Sequence, residues 1–129
     1  MATEFKRRVY ANVPATAITH ADAKIYTAPA NCDTVVIGLL LTNTSGASIT
    51  ADVGVIPQDN TEGPIGASTQ ENFTYLIKGA QIPVGSALEI ISGKVVLANT
   101  GSGTGDTLCV RASLASSLDA TVSILENTP

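Results

Sequence analysis

The stretch SLASSLDATVSILE, residues 113–126, fits two forms of secondary structure. Leu114, Leu118, Val122 and Leu125 recur at the spacing of one helix face. Leu118, Ala120, Val122 and Ile124 alternate, as the buried face of a strand does. Which form is taken decides whether the chain is all-β. Residues 113–123 are rich in Ser and Thr, which favour turns and caps over helix interiors. Ser116-Ser117 has the composition of a turn. The segment is therefore read as the end of one strand, a turn and a closing strand, with DTLCVRAS (106–113) before the turn and LDATVSILE (118–126) after it.

Upstream, the same chemistry repeats. Val, Ile, Thr and Ser dominate, and clusters of Gly, Pro, Asn and Asp interrupt them often, so the strands should be short and many. Phe5 to Val13 reads as a first extended piece, and Lys24 to Thr27 as a strand stopped at Pro29. TVVIGLLLTNT (34–44) is the strongest strand; it is apolar on both faces at its centre, which marks an inner strand. SITADVGVIP alternates, with Ile49, Ala51, Val53 and Val55 on one side. Residues 57–71 form the longest loop, and NFTYLIKGAQIP resumes as a strand. SALEII and KVVLA are expected to pair as a hairpin around Ser92-Gly93.

The chain has 129 residues, which suits one domain with a core of its own. Apolar residues make up 44% and charged residues 14%, so the composition is not that of a disordered chain. Low charge suits a protein that hides surface against neighbours. The net charge is −4. Lys6, Arg7 and Arg8 hold three of the seven basic residues; from Val9 onward four basic residues face ten acidic ones, a balance of −6. A body of that sign does not present the basic face of a nucleic-acid binder. The Lys6-Arg7-Arg8 cluster reads either as a solvated terminus or as an arm touching a polyanion or an acidic neighbour. No apolar run approaches the roughly 20 residues of a membrane helix, and no secretory signal pattern is read at the start.

Candidate chemistry is sparse. His20 is the single histidine, and no Gly-x-Ser-x-Gly elbow accompanies it. Asp52, Asp59, Glu62 and Glu71 lie in or near the long loop without the alternating oxygen ligands of a calcium loop. Cys32 and Cys109 have neither CxxC nor zinc spacing, and read as small apolar strand residues rather than as a disulfide. Phe73 and Tyr75, two apart, share one strand face and form either packing or a sugar platform. The glycines of KVVLANTGSGTGDTLCVRAS (94–113) resemble a phosphate-binding loop. No lysine follows, Asp106 stands where a third glycine would be, and the continuation is β-rich. The loop is instead a strand connection.

Six short motifs carry a resemblance. Tyr26-Thr27-Ala28-Pro29 precedes an apolar strand ending in Asn43-Thr44. Then come Pro83-Val84-Gly85, Gly93-Lys94-Val95-Val96-Leu97, Gly105-Asp106-Thr107-Leu108 and Ser123-Ile124-Leu125-Glu126. In this order they resemble a small β-sandwich type among virion proteins of tailed bacteriophages, over about residues 24–126. The resemblance implies a decoration, neck, tail or baseplate component that acts by adhesion and has no catalytic residues.

The expected fold is all-β: a single antiparallel β-sandwich or jelly roll of about eight strands over 24–129, preceded by an extended N-terminal arm over 1–23 that reaches another subunit. The expected function is that of a non-enzymatic structural protein of a tailed-phage virion, assembled in the bacterial host cytoplasm. Foremost it is a capsid decoration or cement subunit, contacting major capsid or tail and neck proteins and forming a homo-oligomer such as a trimer. A neck, tail or baseplate component and a carbohydrate- or receptor-binding module at a virion tip are the alternatives. The interface is expected at Phe5, Lys6, Arg7, Arg8, Tyr10, Phe73 and Tyr75. No metal, cofactor, nucleic acid or membrane is expected.

Overall fold

The computed structural model describes residues 2–18, 21–57, 74–90, 95–99 and 105–128. Among them run nine strands and one single-turn 3-10 helix at Ala21–Ala23. The strands are β1 (Ala2–Tyr10), β2 (Lys24–Thr27), β3 (Cys32–Asn43), β4 (Ile49–Ile56), β5 (Thr74–Ile82), β6 (Ala87–Glu89), β7 (Val95–Asn99), β8 (Thr107–Ala112) and β9 (Leu118–Thr128). The described chain is all-β, and SLASSLDATVSILE is turn followed by strand. Leu118, Ala120, Val122 and Ile124 are all buried, while Leu114 is exposed in the turn. Ser116 takes a left-handed conformation (φ 57°) at the reversal.

Two antiparallel sheets face each other. One has the order β1-β9-β3-β6, with β7 also on β3; the other has the order β2-β8-β4-β5. β6 and β7 are two parts of one broken strand. Both run antiparallel to β3 along the same edge, β6 against Leu40–Thr42 and β7 against Cys32–Val36. The hairpin expected between them does not form, because the twelve-residue β3 pairs with both in turn. The Ser92-Gly93 turn signal itself lies outside the described residues. Counted as one strand, they leave eight. The first then pairs with the last, the second with the seventh, the third with the sixth and the fourth with the fifth. That winding is a jelly roll.

The expected division into an arm over 1–23 and a sandwich over 24–129 does not follow the sheets. Residues 2–10 are β1, paired with β9 from Ala2↔Thr128 to Tyr10↔Ala120. Val13 is fully buried, and its N–H donates to the Leu118 carbonyl. The physical reason is that β9 would otherwise leave its outer edge unpaired. β1 nonetheless adds little to the core: from Thr3 to Val9 its side chains are exposed.

The core lies between the sheets, with Val36, Leu39 and Leu41 of β3, Val122 and Ile124 of β9, and Val53, Leu108 and Val110 opposite. At its ends, the motif residues close the corners. Asn43 donates to the Ala47 and Ile82 carbonyls and accepts from Ser45, tying the β3–β4 turn to β5. In Pro83-Val84-Gly85 the Ser86 N–H returns to the Pro83 carbonyl, and Gly85 supplies the positive φ of 72° that such a turn needs. Asp106 bonds Ala98 through backbone and side chain, and its carbonyl accepts from Ala28 N–H. Asn99 donates to the Ala28 carbonyl beside it.

Gly105 sits in this corner because nothing larger fits: a Cβ there would lie 2.6 Å from the Ala28 carbonyl oxygen and 2.8 Å from Asn99 Cβ. Both obstacles are fixed. Gly105→Ala is therefore expected to destabilise the fold by about 1–3 kcal/mol, read as a lowered melting temperature in thermal unfolding followed by circular dichroism.

Candidate interaction surface

The alternation that fills the core also determines what faces solvent. On the outer side of the five-stranded sheet, cross-strand pairs bring Phe5 opposite Leu125, Leu125 opposite Val35, and Val35 opposite Val96. One apolar row thus crosses the whole sheet. Phe5 is 78% exposed and Val96 59%, with Leu125 and Val35 half-buried between them. Ile37 and Leu40 of β3 add to it, at 44% and 42% exposure, and Val9 of β1 is also exposed. A register shift between Val36 and Gly38 resets the alternation after Ile37, so that Leu39 is buried and Leu40 faces out. A shallow depression lined by Gly38, Leu40, Glu89, Thr121 and Ser123 adjoins that bulge.

β3 is the inner strand expected of it, yet its apolar content covers both a core face and a solvent face. Val35, Ile37, Leu40, Val96 and Leu125 were not among the expected interface residues. Their signal was present: a strand apolar on both faces needs something on both, and β9 also alternates.

The expected residues separate. Phe5 and Arg7 lie on the outer face of β1, beside Leu125 and Ser123. Lys6 and Arg8 point to the other side. Tyr10 is half-buried and donates its hydroxyl to the Asp22 carbonyl. Tyr75 is on β5, the edge of the other sheet, with the Lys78 ammonium 5.1 Å from its ring centroid. β1 approaches β2, at the opposite edge of that sheet from β5. Tyr75 and the β1 residues are therefore not one patch. Phe73, His20, Asp59, Glu62, Glu71, Gly101 and Gly103 lie outside the described residues.

Beneath β1 is a buried carboxylate, Glu126. Lys6 Nζ approaches its Oε1 at 2.8 Å, and the Tyr26 hydroxyl donates to its Oε2 at 2.5 Å. Tyr26 also bonds the Thr34 hydroxyl at 2.8 Å. Burial alone raises the Glu126 carboxyl. The bonds from Lys6 and Tyr26, with the charges of Lys6 and Arg8, outweigh it and hold the group below its ordinary value. The bond to Glu126 and its charge raise Lys6. Burial first, then the bond to Glu126, pushes the Tyr26 hydroxyl up. All three groups keep their resting charge at neutral pH, so the cluster joins strands rather than moving protons. It also links the first and last of the six motifs.

Asp52, one of the carboxylates near the long loop, accepts from Arg111 at 3.1 Å and from the Gly79 N–H at 2.7 Å, while Arg111 also donates to the Thr16 carbonyl. Cys32 and Cys109 are buried and are not joined in a disulfide, one lying in each sheet. Among the described residues no group of three His, Cys, Asp or Glu side chains could hold a metal ion, and no helix is long and apolar enough to cross a membrane.

No family model and no curated protein matches the chain. Solved structures do. A chain of the T13 particle of infectious bursal disease virus is similar over 98% of this chain, at 10% identity and TM-score 0.50. VP2 of a subviral particle of the same virus is similar over 98%, at 12% identity and TM-score 0.48. The CBM22-1 xylan-binding domain of Paenibacillus barcinonensis Xyn10C is similar over 97%, at 10% identity and TM-score 0.42, with 86% of that chain covered. This chain spans 31% and 33% of the two viral chains. At these identities the likeness is one of fold: a sandwich also found in a viral particle.

The Glu126 cluster fixes a pH dependence. A carboxyl depressed in the folded state adds stability above its unfolded value, 4.5, and that stability is lost as pH falls through the folded value. A phenol raised in the folded state adds stability below its unfolded value, 10.0, and loses it as pH rises further. Tyr26→Phe should cost about 1.5–3 kcal/mol at neutral pH. It should also flatten the alkaline limb of stability against pH, measured by urea unfolding at a series of pH values.

Proposed function

We propose that the protein is a non-enzymatic structural subunit of a virion, acting through protein–protein contacts made by the outer face of its five-stranded sheet. The observation that carries this is the row Phe5–Leu125–Val35–Val96, an apolar band across a solvent face where one-sided sheets place polar residues. The 14% charged composition and the fold likeness to a viral-particle chain support it. So does the role of the motif residues. Asn43, Gly85, Gly105, Asp106 and Glu126 serve corners and the strand latch, which leaves the flat face, not a pocket, as the working surface.

The finer reading is a decoration or cement subunit of a tailed phage, built into the particle alongside major capsid proteins and its own copies. A neck, tail or baseplate position would use the same face. A sugar-binding tip module has one described support, the exposed Tyr75 with Lys78 over its ring. Among the described aromatics its only strongly exposed companion is Phe5, at the far edge of the sandwich.

Antibody labelling of intact particles distinguishes these. Label over the whole shell is the expected result, label at a single vertex moves the subunit to the neck or tail, and unlabelled particles overturn the virion reading.

A further inference from the structure

We infer that the outer face of the five-stranded sheet binds a second copy of this chain, sheet against sheet, with β1 of each copy lying over β6 and β7 of the other. This deepens the protein-contact reading of the same face by naming the partner.

The size of the face is sufficient. Four strands about 4.8 Å apart, over rows that span roughly 30 Å, present about 600 Å². Two such faces bury about 1,200 Å², the lower end of a specific interface. Packed sheets keep their strands within about 30° of each other, so the rows of one copy meet the rows of the other.

The charges choose the symmetry. On this face Arg7 stands at the β1 margin, and Glu89 stands at the opposite margin, paired with Leu40. A two-fold axis in the interface and across the strands would lay β1 on β1 and bring Arg7 to its own copy. An axis along the strands lays β1 on the β6–β7 margin. Phe5 then covers the second copy's Val96, and Leu125 covers its Val35. Arg7 comes within one row of Glu89, about 7 Å along the strand and within reach of its side chain. Each of these contacts occurs twice, as a self-complementary interface requires. The depression lined by Leu40, Glu89, Thr121 and Ser123 runs from β9 across β3 to β6, under the area that β9 and β1 of the second copy would cover.

The test is sedimentation equilibrium of the full chain over a concentration series, with circular dichroism to confirm folding. The expected result is a reversible dimer. Phe5→Thr with Val96→Thr should weaken it at least about tenfold, since both are exposed in the single chain and each is covered by the other across the interface. Arg7→Glu and Glu89→Arg should each weaken it about fivefold. The two together should restore it, because each copy then offers the reversed pair. A chain that stays monomeric at millimolar concentration overturns the inference. So does a dimer indifferent to Phe5 and Val96, or one that the double charge reversal fails to rescue. Particle labelling is read independently: labelled particles with a monomeric chain sink the inference alone, and a dimer without particles sinks the virion reading alone.

Discussion

The ladder between β3 and β9 is the constraint on which everything else rests. Ten pairs run from Asp33↔Asn127 to Asn43↔Leu118, joining residues far apart in sequence. A slip by one residue would exchange the two faces of each strand. Leu118, Ala120, Val122 and Ile124 would leave the core, and Thr121, Ser123 and Leu125 would enter it. The same register that buries the first set lines up the apolar row outside. The core and the outer apolar row are two results of one pairing. β9 must also enter between two strands from the first third of the chain, so folding depends on distant contacts and is expected to be slow for its size.

Most of the strand content was legible because period-two alternation and turn residues are local. Ser116 falls in the turn that the Ser116-Ser117 pair marks. The pairing of strands was less legible. SALEII and KVVLA have the form of a hairpin, but a hairpin is chosen against other partners, and the long β3 offered both segments a better one. The N-terminal segment reads as an arm for a related reason. Its charges, Glu4, Lys6, Arg7 and Arg8, are those of a solvated arm, and they are solvated; its backbone is nevertheless in the sheet. Side-chain polarity reports on exposure, not on whether the backbone is paired.

The outer face was legible only in part. Phe5 and Arg7 lie on it by their place in β1, but Val35, Val96 and Leu125 line up with Phe5 through register, which no single segment reveals. The motifs were visible from the start. Their meaning came from geometry: Gly105 yields to a carbonyl and Asp106 clamps a neighbouring strand, so the glycine-rich stretch ends in a structural corner.

β1 bears on how an assembly would end. An open sheet edge can recruit strand after strand, and such growth has no natural stop. Here the edge strand alternates Glu4, Lys6 and Arg8 on one side with Phe5, Arg7 and Val9 on the other, and Lys6 is tied to Glu126. A further strand added at this edge would set its own side chains beside those charges. Faces can meet while edges stay apart, which favours an assembly of fixed size over a fibre.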